Sequence, residues 1–443
     1  MTATHEPHTQ PRALPTETPP GPKLPMAIQT WRFGRHRHEW LPALRERYGD
    51  VFTLDIYPDR NLVQLANPED IRTVFSGPAS RFHAGEGNMI LAPIMGERSV
   101  LTTDENVHKR LRTLLMPAFH GSALRGYRTM VERLALQEIA QWPIGTRFET
   151  HERMQALTLE IIMRVVFGVA EGPRLDALRT LLGKLVSSTM LTFLGLQSPR
   201  LRRLPPWRKT VAMQREIDTL LAAEIRERRR VPDLADRKDV LSQMISVDDD
   251  GDRLTDEELR DQLITLLLAG HETTATALSW CFHELARDPE RQRLGREAAL
   301  SGDDKYLEAI FKEALRLRPV IYEVARKLTE DIEIGGYRIP AGYTVMPIIG
   351  VVQSDAKNHE DPEAFRPERF LGSSPAPNTW IPFGGGIRRC LGAGFAQMEG
   401  VEVLRAALSH YTFTADRAAP EPPTPRNITL TPRRGGRIIA WPV

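Results

Sequence analysis

Residues 380–396 read WIPFGGGIRRCLGAGFA and place one cysteine, Cys390, behind a glycine-rich turn and ahead of an apolar run that begins like a helix. The chain has only two cysteines, so Cys390 is not half of a disulfide framework. Gly384, Gly385 and Gly386 open backbone conformations closed to other residues, and Gly392 and Gly394 let a bulky, flat partner approach the chain. A cysteine beside a helix N-terminus and next to Arg388 and Arg389 sits where positive charge favours thiolate over thiol. A thiolate is a metal ligand. A buried free cysteine after a turn is the other reading of the same residues.

Moving outward, the second informative stretch is a long helix. Thr255 and Glu258 make a capping-box pattern, and Asp288 with Pro289 ends the run near Arg287. Roughly 32 residues at about 1.5 Å each give ~48 Å, enough to cross the molecule. Its middle, LITLLLAG, is apolar on nearly every face, as a helix buried on all sides must be. Gly270, Glu272, Thr273 and Thr274 interrupt that run, and each is costly there: glycine loses about 1 kcal/mol against alanine inside a helix, and a buried carboxylate needs a partner or a raised pKa. Such residues point to chemistry. Gly270 leaves room for a diatomic ligand, a threonine hydroxyl can bond back to a carbonyl, Thr273 can donate to a ligand in that room, and Glu272 can relay protons from solvent. His271 receives no role.

Composition limits the alternatives. Hydrophobic residues make up 41% and charged ones 26%, as in ordinary globular proteins. A net charge of +2, with both signs spread along the chain, gives no footprint for nucleic acid. No apolar stretch reaches the ~18 residues that span a bilayer, so no transmembrane anchor is expected. Two cysteines without a signal peptide fit the cytoplasm.

The string F-x-x-G-x-R-x-C-x-G-x-x-x-A, filled by Phe383, Gly386, Arg388, Cys390, Gly392 and Ala396, resembles the haem-binding signature of the cytochrome P-450 family, the haem-thiolate monooxygenases. AGHETT resembles the same family's oxygen-activating motif. The resemblance implies haem b (iron protoporphyrin IX) with Cys390 as its axial thiolate, the ligation that favours O–O cleavage. It implies Glu272 and Thr273 as catalytic acid and alcohol beside Gly270. It also implies a mainly α fold with a small β-rich region, in which residues 26–443 form one domain behind a flexible Pro-rich leader, 1–25. Length alone would suggest two or three domains.

Other segments are similar to the family in order. Strands are expected over 51–56 and 62–66, followed by a helix capped by Asn67 and opened by Pro68. Residues 81–104 read as an irregular loop with much apolar surface, either a roof over a substrate pocket or a loop folded on the core. Asp104 can cap a helix carrying His108 and Arg112, four apart on one face. That pair alone fits a solvated edge; the resemblance makes both residues donors to the haem propionates, with Arg326 and Arg388. Residues 185–207 match a lid whose apolar half (Met190, Leu191, Phe193, Leu194, Leu196) suggests a lipophilic substrate, or equally a helix end on the core. Val320, Ile321, Tyr322 and Val324 are expected near the iron. By resemblance Glu313, Arg316 and Arg369 form a buried ion network under the cysteine loop. Gln353 stands where the family usually has histidine, without touching the chemistry. The C-terminal ITLTP and RIIAWP read as edge strands.

The resemblance thus implies an enzyme that inserts one oxygen atom of O2 into a lipophilic small molecule by hydroxylation or epoxidation. It would work as a monomer, with electrons from a separate ferredoxin or flavodoxin system docking near Arg389 and Arg125. A non-monooxygenase haem-thiolate enzyme (isomerase, dehydratase or peroxygenase) and a haem-based ligand-binding protein are the alternatives.

Overall fold

The central helix forms where the sequence expects it, over Asp256–Leu285. The structure, a computed structural model, describes residues 18–168, 171–186, 190–247, 252–372 and 374–443. Thr255 accepts from the Glu258 amide at 3.2 Å and Glu258 accepts from the Thr255 amide at 2.9 Å, so both ends of the capping box are closed. The helix stops two residues early, at Leu285, because Asp288 turns its carboxylate to the Arg291 amide at 3.0 Å and starts Pro289–Ser301. Its apolar residues, among them Leu263, Leu267 and Leu278, pack against the buried Ile161, Ile162 and Val165 of Thr150–Phe167. Ser122–Ile139, Asp304–Leu317 and Ala393–His410 complete the surrounding layer. The fold is mainly α.

The β-rich side is built round a five-stranded sheet in the order Val51–Leu54, Leu62–Leu65, Thr344–Pro347, Arg326–Leu328, Phe82–His83. The first two strands pair antiparallel, Val51 opposite Leu65. Asn67 caps Pro68–Ser76 through the Glu69 amide at 2.8 Å, which turns Ile71, Val74 and Phe75 inward. A three-stranded sheet corrects the expectation for the C-terminus: Arg437–Pro442 lies between Arg147–Glu149 and Tyr411–Ala415 and is no edge. The reason is that Ile438 and Ala440 are fully buried, which demands ladder partners on both sides. Residues 1–17 of the expected leader lie outside the described residues. Pro20 accepts from the Thr53 amide at 2.8 Å and so runs beside the first strand.

Residues 81–104 differ from an irregular loop. They wind into the short turns Ala84–Gly87, Met89–Leu91 and Ala92–Met95, which bury Leu91, Ile94 and Met95. The segment is riveted to the central helix. Asp261 accepts from the Arg98 amide at 2.9 Å, Gln262 accepts from the Val100 amide at 2.9 Å, and the Ser99 and Thr265 hydroxyls meet at 2.8 Å. Over 185–207, a helix Met190–Leu196 is followed by the turn Leu201–Arg203. Leu196 is buried and Phe193 packs on the core, while residues 187–189 and the side chains of Met190 and Leu191 lie outside the described residues. Among the described residues no helix is long and apolar enough to cross a membrane.

Beneath the cysteine loop lies a buried ionic brace. Arg316 donates to both Glu313 oxygens at 2.7 and 2.9 Å, both side chains having no exposure, and Arg369 adds a bond to Glu313 at 3.1 Å. The remaining Arg316 N–H groups bind the carbonyls of Gln353, Pro362 and Ala364. Every donor of the guanidinium fork therefore meets an acceptor, the condition under which a buried pair holds. The brace includes Gln353, which the sequence reading set aside. Its amide donates to Leu315 O at 2.9 Å and its oxygen accepts from the Ile381 amide at 3.0 Å, tying Asp304–Leu317 to the entrance of the cysteine loop. Replacing Arg316 by Leu is expected to destabilise the protein by about 3–5 kcal/mol, because it strands the Glu313 charge. Urea unfolding would read that as a lower midpoint, and a shift below about 1 kcal/mol would contradict it.

Candidate active site

The cysteine loop is shaped by its contact with Phe75. Gly386 has a φ of +63°, and a Cβ there would sit 1.9 Å from the Phe75 carbonyl oxygen. A Cβ on Gly385 would lie 2.2 Å from the Phe75 ring. The glycines thus serve contact with the helix Pro68–Ser76, and Gly392 alone of the later pair has open space around it. The Cys390 amide donates to Phe383 O at 2.9 Å, closing the turn three residues before the helix Ala393–His410. Phe383 packs edge-on against Trp380, which stands edge-on to Phe370. Cys390 itself lies deep in the protein, yet its side chain keeps free surface.

The charges round the sulfur differ in detail from the sequence reading. Burial pushes the Cys390 thiol up, opposed by the Gly392 amide and by Arg112 and Arg389. Arg388 is turned the other way. It pairs with Asp104 and donates to Val100 O at 3.1 Å and to Thr103 O. Asp104 in consequence is no side-chain cap for Glu105–Leu115: its carboxylate receives Arg388 and the amides of Gly85 and Glu86. A buried thiol of this kind gains thiolate character when a cation binds the sulfur and displaces the proton.

His108, Arg112, Arg326 and Arg388 come together around the loop. His108 is pushed down to about 4 by burial and then by Arg388 and Arg112, so it is neutral at ordinary pH. Arg326 is pushed down to about 10 by burial and by Arg388, and its guanidinium lies 5.8 Å over the Phe75 ring. Burial also lowers Arg112. Among the described residues neither Arg112 nor Arg326 forms an ion pair with a carboxylate. Guanidinium groups desolvated without a counter-charge are costly, and they suit an anion that enters from outside the chain. Arg326 and Arg388 also line a small cavity with Phe75, Phe82 and Gly385.

The central helix has one accessible stripe. Leu266, Ala269, Gly270 and Thr273, at the spacing i, i+3, i+4, i+7, keep surface, as Leu268 does beside them, while Leu263, Leu267, His271 and Thr274 are buried and Ala269 is exposed in mid-helix. Thr273 donates to Ala269 O at 2.7 Å and Thr274 to Gly270 O at 3.3 Å. A Cβ on Gly270 would lie 2.9 Å from Ile162 Cδ1, so the glycine also admits the neighbouring helix. Glu272 is buried, its pKa raised by burial against the pull of Arg426 and Gln155. The segment 98–104 joins this wall to the cysteine loop through Thr265 on one side and Arg388 on the other. Ile321 and Val324 are half-buried against the Phe75 cluster, whereas Tyr322 is packed under Gly350 with Trp40 and Leu41.

Taken together, these residues fit a flat, dianionic, metal-bearing group: a sulfur with free surface, arginines lacking acids, an aromatic wall at Phe383, and a helix with a small residue on its open face. Sequence reasoning missed Gln353, Asp104 and Ala269. Only an unusual buried amide at 353 offered a signal.

The cytochrome P450 family model matches residues 18–439. Among curated relatives, cytochrome P450 135A1 of Mycobacterium tuberculosis strain H37Rv is 47% identical over 435 residues, 97% of this chain and 96% of that one. Cytochrome P450 135B1 of Mycobacterium bovis is 43% identical, covering 95% of this chain and 90% of its own. Among solved structures, retinoic-acid-bound cyanobacterial CYP120A1 superposes with a TM-score of 0.86 at 23% identity, covering 97% of this chain and 100% of that one. On the family model over residues 18–439 and on relatives 43–47% identical across nearly the whole chain, the chain belongs to the cytochrome P450 family.

Proposed function

We propose that this chain is a haem-thiolate monooxygenase that inserts one oxygen atom of O2 into a lipophilic small molecule, by hydroxylation or epoxidation, with electrons from a separate ferredoxin or flavodoxin system. The observation that carries the reading is a conjunction. A sulfur with free surface at the centre of the protein is linked, through 98–104, to a buried helix whose one open stripe carries Thr273.

In this reading Cys390 would hold the haem iron through its sulfur, to which the Gly392 amide is hydrogen-bonded. Arg112 and Arg326 bring unspent positive charge to the two propionates, and neutral His108 contributes a hydrogen bond rather than charge. Arg388, already committed to Asp104, fixes the loop's position while adding to the positive field. Phe383 supplies an apolar face. The chemistry that haem supplies when bound is the reduction and cleavage of dioxygen. Thr273 turns its hydroxyl from Ala269 O toward the open stripe, and Glu272 holds the proton that replaces the one it gives. Leu266 and Ala269 keep that stripe apolar, which favours a lipophilic substrate and excludes bulk water.

Cys390→Ser is expected to abolish the absorption maximum that gives this family its name in the reduced, carbon-monoxide-bound protein. An unaltered spectrum would end the reading. Thr273→Ala is expected to keep haem and that spectrum while the fraction of electrons ending in product falls on the order of tenfold, the remainder appearing as peroxide. The check is product formed per nicotinamide oxidised, and unchanged coupling would remove the role of Thr273.

A further inference from the structure

Behind Thr273 lies a buried polar cluster larger than an acid and an alcohol require. Glu272 Oε2 accepts from the Gln155 amide, but Oε1 is buried and has no hydrogen bond. That free oxygen lies 3.7 Å from His151 Nε2 and 3.8 Å from Arg426 Nε. His151 sits on the neighbouring helix, Thr150–Phe167, with Nε2 3.2 Å from the Thr276 hydroxyl. The other groups facing the cluster are His271, on the central helix, and Thr158, whose hydroxyl donates to His271 O at 3.0 Å.

We propose that His151 is the residue that passes protons to Glu272 Oε1, so that Gln155 and Arg426 hold the carboxylate while the imidazole reloads it. The proposal rests on the monooxygenase reading above and goes beyond it.

The case is one of elimination on chemistry. A guanidinium such as that of Arg426 contributes charge and no proton transfer. An amide such as Gln155 has no proton to exchange. His271 has Nδ1 2.9 Å from Leu267 O and is buried within its own helix. Among the described residues His151 is thus the one titratable partner of the free oxygen. The two groups are also brought toward each other in proton affinity: burial raises Glu272, whereas burial, Arg426 and His271 push His151 down to about 4. Shifts in these opposite directions lower the penalty for passing a proton from the imidazole to the carboxylate.

The balance is simple. With no organic substrate present, reduction of one O2 to two waters takes four electrons from the ferredoxin-type donor and four protons from solvent, and peroxide appears where the relay fails. Each proton binds the imidazole, leaves Nε2 for Glu272 Oε1, and moves on to Thr273; the imidazole is then reprotonated.

Dioxygen itself is the probe, so no organic substrate is needed. The haem-loaded full chain, reduced by a plant-type ferredoxin and its reductase, is assayed for O2 consumption in H2O and D2O as wild type, His151→Gln and Glu272→Gln. Glutamine keeps an N–H donor at this position but cannot carry a proton. His151→Gln should slow O2 consumption about tenfold and enlarge the solvent isotope effect toward that of Glu272→Gln, with the carbon monoxide spectrum unchanged. Infrared spectroscopy gives a readout apart from turnover: the carboxylic C=O band that vanishes in Glu272→Gln should persist in His151→Gln with a displaced titration midpoint. His151→Asn provides the same comparison should the glutamine variant lose haem. Wild-type rate, isotope effect and band position in the histidine variants, with Glu272→Gln still slow, would overturn the proposal and leave the monooxygenase reading intact. No defect in Glu272→Gln would instead remove the acid's role in that reading.

Discussion

One constraint governs this molecule: a sulfur must stay uncovered at the centre of a close-packed chain. Interiors normally close on any such surface. Here closure is resisted by elements that cannot relax inward. The loop is locked against Phe75 by glycine contacts, its entrance hangs on Gln353, and Gln353 in turn is bonded to the helix that carries Glu313 and Arg316. The Glu313–Arg316 pair at the heart of the brace is fully buried and fully bonded, so it moves as a unit or not at all. Rigidity of the site is therefore inherited from a region that does no chemistry.

Charge follows the same logic. The interior around the loop contains more guanidinium than carboxylate, with Asp104 the acid committed there and Arg388 its partner. Arg112 and Arg326 are left to an anion from elsewhere. His108 escapes the problem by losing its proton. Apolar packing alone would give this fold no reason to assemble such an imbalance, which suits the dianionic group proposed for the site.

Much of this could be read from the letters. Motif spacing located the cysteine loop, the capping box fixed the start of the central helix, and the E-x-x-R pair with Arg369 marked the brace. The first two are local signals, carried by residues close together in the chain, whereas the link from the E-x-x-R pair to Arg369 came from the family resemblance. What escaped depended on distant neighbours. That Gly270 faces Ile162, that Asp104 serves Arg388 and two amides rather than its own helix, and that Arg437–Pro442 is flanked on both sides are facts of tertiary contact. Gln353 was discounted because it departs from the usual residue, yet an amide can both donate and accept, and both capacities are used.

The rivets between 98–100 and the central helix have a further bearing on the rim. Three side chains, Asp261, Gln262 and Thr265, grip one short stretch of the rim, whereas the helix Met190–Leu196 is followed by Gln197, with a bond to Ile90 O at 2.9 Å, and Gln214 reaches Pro93 O at 2.7 Å. Among the described residues, the rim is thus bonded to the central helix in a cluster at 98–100 and to the flank of 190–214 through Gln197 and Gln214.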